Sequence, residues 1–264
     1  MDEFYVNDFL EVINELFPFE LAEKWDNVGL QIATRERKIK KVFITLDVTE
    51  KVVEYVKKNE FDLIISHHPI IFKPLYTILP LKNSRDRIIK ELLCNDIPLI
   101  VVHTNADKVL FYQLAEIAGL SNFSPLIPDT INPEIGFGAV GSLEEKVTLK
   151  DFLNDLKKKL NINIIKYTGD DSLIIKKIAV CGGTCTSFIN EELKDKGIDL
   201  FITSDIKYHE AQRAVSLGFN IVDAGHFYTE QILLPEIKRK LEEVLKDKIL
   251  VEVSRLNKDI FKYL

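Results

Sequence analysis

The sequence predicts an α/β protein with mixed, mostly parallel sheets, built from one unit used twice. Three observations lead there. Short β-branched apolar runs alternate with amphipathic helical stretches along the chain, the pattern of parallel strands buried under helices. The order of elements recurs in the second half, and some stretches repeat almost literally. Lys40-Lys41-Val42 returns as Lys176-Lys177-Ile178, and Phe61-Asp62-Leu63-Ile64-Ile65-Ser66 as Ile198-Asp199-Leu200-Phe201-Ile202-Thr203. Finally, each of the five histidines falls at or just after the end of a predicted strand, or in the helix that follows one. Open α/β sheets keep their ligand crevices there.

Taken in order, apolar spacing predicts a helix over Val6–Phe17, a strand over Val28–Ile32 and a β-branched strand over Val42–Leu46. A helix over Glu50–Lys58, a strand over Leu63–Ser66, a helix over Ser84–Cys94, a strand over Pro98–Val102 and a helix over Asp107–Ala118 complete the first half. The second half reads as helix Leu149–Leu160, strands Asn163–Tyr167 and Ile178–Cys181, helix Ser187–Lys196 and strand Leu200–Thr203. Helix Ile206–Leu217, strand Ile221–Asp223, helix Glu230–Leu245 and strand Ile249–Val253 follow. The stretch Asn122–Pro133, with three prolines and several small polar residues, reads as the connection between halves. The predicted repeats are residues 1–124, with a double histidine and a His-x3-Asp motif, and residues 125–264, with a His-x3-Glu motif.

Hydrophobic residues at 46% and charged residues at 29% are ordinary for a soluble globular chain, and no stretch approaches the apolar length of a membrane span. A net charge of −6 argues against a broad nucleic-acid footprint and leaves open only a local basic groove. Met1 is followed by acidic residues and a helical pattern rather than a signal core. Three cysteines (Cys94, Cys181, Cys185) imply no disulfide framework and are read as reduced thiols of a cytoplasmic protein. Gly182-Gly183 lacks the Lys-Ser/Thr of a phosphate-binding loop.

The chemistry lies in the histidines: His67, His68, His103, His209 and His226. His103-Thr-Asn-Ala-Asp107 and His226-Phe-Tyr-Thr-Glu230 repeat one arrangement, His-x3-acid after a strand, once per half. Four-residue spacing lets both side chains meet if the turn is helical. A helix-capping role competes for Asp107, and a plain surface charge competes for Glu230. Imidazoles with carboxylates are ligands for Zn, Fe, Mn or Ni, where an oxygen-only set would favour Mg or Ca. In extended backbone, His67 and His68 face apart, and Pro69 favours that backbone at His68. Each ring would then serve a different metal of a two-ion site.

At these residues the chain resembles the GTP cyclohydrolase 1 type 2 homologues, relatives of a yeast transcription-factor-interacting protein. The resemblance is carried by Asp26-Asn27-Val28-Gly29-Leu30-Gln31, Leu46-Asp47-Val48-Thr49, Ser66-His67-His68-Pro69 and His103 to Asp107. In the second half it is carried by Cys181-Gly182-Gly183, Thr203 to His209 and Gly225 to Glu230. It implies two intertwined, similar α/β domains with the metal site between them, and a toroidal homohexamer. It also implies two divalent metal ions per chain (Zn, Fe, Mn or Ni), held by His67, His68, Asp107, His226 and Glu230. The activity implied is attack of hydroxide on a nucleotide such as GTP, with His103 as catalytic proton shuttle or as the group orienting Asp107. Asp205 and His209 either approach the cleft or support its wall; Lys73 either meets a substrate phosphate or is a solvated surface lysine. Asp26 and Asn27 are also readable as a simple turn, and Ser204 departs from a position often occupied by glycine. A dinuclear phosphoesterase and a non-enzymatic metal-binding regulator acting through protein partners are the rival functions.

Overall fold

Runs of Val, Ile and Leu flanked by turn residues build two large sheets, beside a two-stranded one, in the computed structural model, which describes residues 3–263. The chain divides into two units. One comprises the described residues up to Ala106 together with Leu234–Lys258; the other comprises Asp107–Leu233 together with the described residues from Asp259 onward. Packing thus cuts the chain differently from the consecutive 1–124 and 125–264 halves of the sequence reading.

In the first unit, β1 (Phe4–Tyr5) leads into α1 (Val6–Leu16), which buries Val6, Phe9 and Ile13 along one face. The Tyr5 amide at the helix start donates to the Asp8 carboxylate at 2.8 Å. Strands β2 (Gly29–Ile32), β3 (Lys38–Ile39) and β4 (Lys41–Thr45) follow. Next come α2 (Glu50–Lys58), β5 (Leu63–Ser66), α3 (Ser84–Cys94) and β6 (Leu99–Val101). Thr49 and Asn83 cap α2 and α3 by accepting from the amides of Val52 and Asp86. In the five-stranded sheet, β4, β5 and β6 run parallel, β2 closes the β6 edge antiparallel, and the strand Leu250–Val253 pairs parallel with β4. Phe43, Ile64 and Leu99 from this sheet pack against Val52, Val56 and Leu92 of α2 and α3.

The segment expected as one helix over Asp107–Ala118 is two, α4 (Thr104–Val109) and α5 (Gln113–Ala118). The expected connection Asn122–Pro133 is mostly strand. Here β7 (Ser121–Pro128) pairs antiparallel with β8 (Gly136–Thr148). Its prolines are tolerated because β7 is an edge strand, where a missing N–H breaks no inner ladder. β8 escaped the sequence reading because its glycines dilute the apolar pattern. They are needed there: Gly138 has φ +59°, and a Cβ on it would collide with the Val180 carbonyl.

The second unit continues with α6 (Leu149–Leu160), β9 (Lys166–Tyr167), β10 (Ile174–Val180), α7 (Glu191–Asp195) and β11 (Leu200–Thr203). After α8 (Tyr208–Leu217) and β12 (Asn220–Asp223), the expected helix over Glu230–Leu245 is broken into α9 (His226–Glu230) and α10 (Leu233–Leu245), and from Leu234 the chain, with β13 (Leu250–Val253), belongs to the first unit. The six-stranded sheet has the order β7-β8-β10-β11-β12-β9. Its centre is buried on both sides. Ile178, Val180, Leu200 and Ile202 face one apolar cluster, while Ala179, Phe201 and Ile221 face another.

The two sheets share a plan, as the repeated sequence predicts. β4-β5-β6 with antiparallel β2 corresponds to β10-β11-β12 with antiparallel β9. The literal repeat does the same work in both. Asp62 Oδ2 accepts from the amides of Lys40 and Lys41 at 2.9 and 3.0 Å. Asp199 Oδ2 accepts from Lys176 and Lys177, both at 2.8 Å.

One expectation about cysteines is overturned. Cys181 and Cys185 are joined as a disulfide, their Cα atoms 6.0 Å apart, while Cys94 is free and exposed. The tight loop between them brings together thiols that sequence spacing alone had left unpaired.

Candidate metal centre

In the first unit the polar residues gather past the carboxyl ends of β4, β5 and β6. β5 stops at Ser66, although the amides of His67 and His68 still donate to the carbonyls of Thr45 and Leu46 at 3.0 and 2.9 Å. The Ser66 hydroxyl donates to the His68 carbonyl at 2.9 Å and turns the chain. The alternation that would send the two rings apart is thereby lost. Their centroids lie 5.2 Å from each other, and His103 lies 5.1 Å from His67 and 5.7 Å from His68. One ligand atom from each of the three imidazoles lies within 4.8 Å of the others.

The rings are held by the nitrogen that faces away from ligands. Buried His67 has Nδ1 3.0 Å from the Val102 carbonyl, which only accepts, so Nδ1 carries the hydrogen and Nε2 the lone pair. His68 Nδ1 meets Asp47 Oδ1 at 2.8 Å, and His103 Nδ1 meets Asp26 Oδ1 at 2.9 Å, with the same consequence. Asp26 also accepts from the Thr104 amide at 3.1 Å and the Thr104 hydroxyl at 2.5 Å. Burial pushes the Asp26 carboxyl up, but the hydrogen bonds it accepts from His103 and from the Thr104 hydroxyl and amide outweigh it and hold the group at about 2.

The second unit repeats the device past β11 and β12. Asp205 takes a left-handed backbone, φ +56°, and its Oδ2 lies 2.7 Å from His226 Nδ1. On the other side of that ring, His226 Nε2 lies 2.8 Å from Oε2 of buried Glu230, one helical turn away on α9. The Glu230 hydrogen bond and charge, with help from Asp205, overcome burial and raise the His226 ring to about 9. Burial pushes the Asp205 carboxyl up, but Thr184 and His226 prevail and keep it below the usual carboxylate range.

A disulfide-closed loop backs Glu230. The Gly183 amide donates to Thr229 Oγ1 at 3.1 Å, and a Cβ on Gly183 (φ +64°) would strike the Glu230 carboxylate. Ser204 donates its hydroxyl to the Gly183 carbonyl at 2.6 Å and so fastens the loop.

The other predicted residues fall as follows. Asp107 lines a cavity of about 30 Å³ in the second unit together with Gly138, Cys181, Gly182 and Thr229. His209 is exposed on α8, its ring against Tyr208. Lys73 is exposed on the loop after the double histidine. The sequence reading assigned no role to Asp47 and saw Asp26 as a turn; both orient imidazoles. Their signal was available, since each lies within a quoted motif, Asp47 just past β4.

The donor set fits a divalent transition metal: imidazole Nε2 atoms are available as ligands once free of a proton, while carboxylate or carbonyl partners hold Nδ1. Residues 4–260 match the family Duf34/NIF3 (NGG1p interacting factor 3). The chain belongs to this family. A Clostridium perfringens protein named GTP cyclohydrolase 1 type 2 homolog is 35% identical, over 98% of this chain and 99% of its own length. The crystal structure of Staphylococcus aureus hypothetical protein SA1388 superposes with a TM-score of 0.89 at 30% identity, covering 98% of each chain. A Bacillus cereus protein related to NIF3 gives a TM-score of 0.91 at 25% identity, again covering 98% of each chain. Among the described residues of this Duf34/NIF3 member, no helix is long and apolar enough to cross a membrane.

Proposed function

We propose that this chain is a divalent-metal-dependent hydrolase with a dinuclear centre, acting on a nucleotide such as GTP. His67, His68, Asp107, His226 and Glu230 hold the two ions. The observation that carries the reading is the common orientation of His67, His68, His103 and His226, each with Nδ1 against an oxygen acceptor. Surface histidines rarely need such support; ligands and proton carriers do.

Divalent ions at such a set would acidify water enough to supply hydroxide near neutral pH. The chain's own residues do the rest. Val102 and Asp47 fix the rings of His67 and His68. His103, held by Asp26, accepts a proton at Nε2 and returns it to the leaving atom. Lys73 meets a substrate phosphate. His226 Nε2 and Glu230 Oε2, 2.8 Å apart, would hold an ion in place of the proton they share in the metal-free chain.

The test is incubation of Zn-, Fe-, Mn- or Ni-loaded protein with GTP, scoring formate release, beside a panel of phosphodiesters. Formate is expected, and none with any metal removes the cyclohydrolase assignment. Cleavage of a phosphodiester alone moves the chain to the phosphoesterases; no turnover of either kind leaves the non-enzymatic regulator. His68→Ala and His226→Ala should each lower bound metal. The same reading makes the chain a cytoplasmic homohexamer, and Tyr76 and Leu81, 96% and 100% exposed on an apolar loop, suit a surface between copies. Light scattering should give six chains per particle.

A further inference from the structure

Trp25 and Phe72 stand in the first unit beside the imidazole cluster, and the hydrolase reading gives them no task. Trp25 is 58% exposed and Phe72 44% exposed, although each carries a large apolar ring. Their centroids are 5.8 Å apart with planes tilted by 55°, and Trp25 meets the His103 ring edge-on at 6.2 Å.

The arrangement is built and held. Trp25 precedes Asp26, whose carboxylate fixes His103. The next residue, Asn27, donates through Nδ2 to the Ile71 carbonyl at 2.5 Å. Gln31 donates through Nε2 to the same carbonyl at 3.0 Å, and its Oε1 accepts from the Ile71 amide at 3.0 Å. One short motif, Trp25 to Gln31, therefore positions the catalytic imidazole, supplies one aromatic ring and anchors the loop that supplies the other. A Trp placed only to shield His103 would be covered; this one keeps more than half its surface in water.

We propose that Trp25 and Phe72 form a stacking platform for the planar base of a nucleotide, which it holds beside His67, His68 and His103. The chemistry selects that ligand. An aromatic face favours a flat π-system, and the adjoining imidazoles require a ligand whose other parts are polar. A ring stacked at about 4.5 Å on Trp25 lies no more than about 11 Å from His103, within reach of a nucleotide's own substituents. The proposal rests on the hydrolase reading for its substrate class.

Trp25 is the only tryptophan in the chain, so emission reports on this position alone. The full chain, metal-free, is titrated with GTP and with ribose 5-phosphate, using N-acetyltryptophanamide to correct for absorbance. Saturable quenching by GTP and none by ribose 5-phosphate is expected. Phe72→Ala should weaken GTP binding about tenfold, and Phe72→Tyr should restore it. Absence of saturable quenching overturns the platform, as does unchanged affinity in Phe72→Ala. A blue shift that grows with protein concentration and no nucleotide also overturns it, since another copy would then cover Trp25. Quenching without turnover on any metal keeps the platform and removes the hydrolase; turnover without quenching does the reverse.

Discussion

Glu230 Oε2 and His226 Nε2 face each other at 2.8 Å across one helical turn, and Asp205 holds the far side of the same ring. The folded His226 ring titrates at about 9, above its ordinary 6.5. Protonated His226 therefore stabilises the metal-free fold fully below about pH 6.5, and that contribution disappears as pH rises through about 9. Thermal unfolding of metal-free protein should show a fall in Tm across this window, smaller in Glu230→Gln, where only Asp205 still supports the charged ring. Metal affinity should move oppositely, rising with pH and levelling above about 9, because ion and proton compete for Nε2. Equilibrium dialysis at several pH values checks this; a flat profile contradicts it.

Asp47 and Asp26 support different rings, and their removal should have different effects. Asp47→Ala releases His68 and should cost about 10–100-fold in metal affinity. Asp26→Asn should leave metal content unchanged and lower kcat, since it acts on His103. Metal stoichiometry and turnover measured on both variants separate the two roles.

Gly183→Ala should displace Glu230. The added methyl group meets the carboxylate, and φ +64° disfavours any side chain. Bound metal should fall while far-UV circular dichroism stays unchanged. Wild-type metal content in this variant would show that Glu230 is no ligand.

The second unit contains a buried ion pair, Lys108 Nζ to Asp129 Oδ2 at 2.9 Å, with Lys108 also over the Phe137 ring. Lys108→Ala strands the Asp129 carboxylate and should cost about 3–5 kcal/mol in denaturant unfolding. Substituting both partners with apolar residues of similar size should recover most of the loss.

Much of this architecture was legible before folding. Strands Leu63–Ser66 and Leu200–Thr203 and helices Glu50–Lys58, Ser84–Cys94 and Leu149–Leu160 match the periodicity residue for residue. They are regular, apolar on a fixed period and bounded by capping or turn residues. β7 and β8 were missed because proline and glycine, which normally mark loops, here serve an edge strand and a close backbone approach.

By itself the sequence determined the duplicated α/β plan and the position of every histidine at a strand end or in the helix that follows one, because apolar periodicity and repetition are properties of local order. Tertiary structure decided which atoms of those histidines are presented. Asp26 reaches His103 across 77 positions of the chain, and Asp47 reaches His68 across 21. Such partners are chosen by where the ends of neighbouring strands, parallel for Asp47 and His68 and antiparallel for Asp26 and His103, meet in space, which no local pattern records. The pairing of Cys181 with Cys185 was decided in the same way, by the path of the backbone between them.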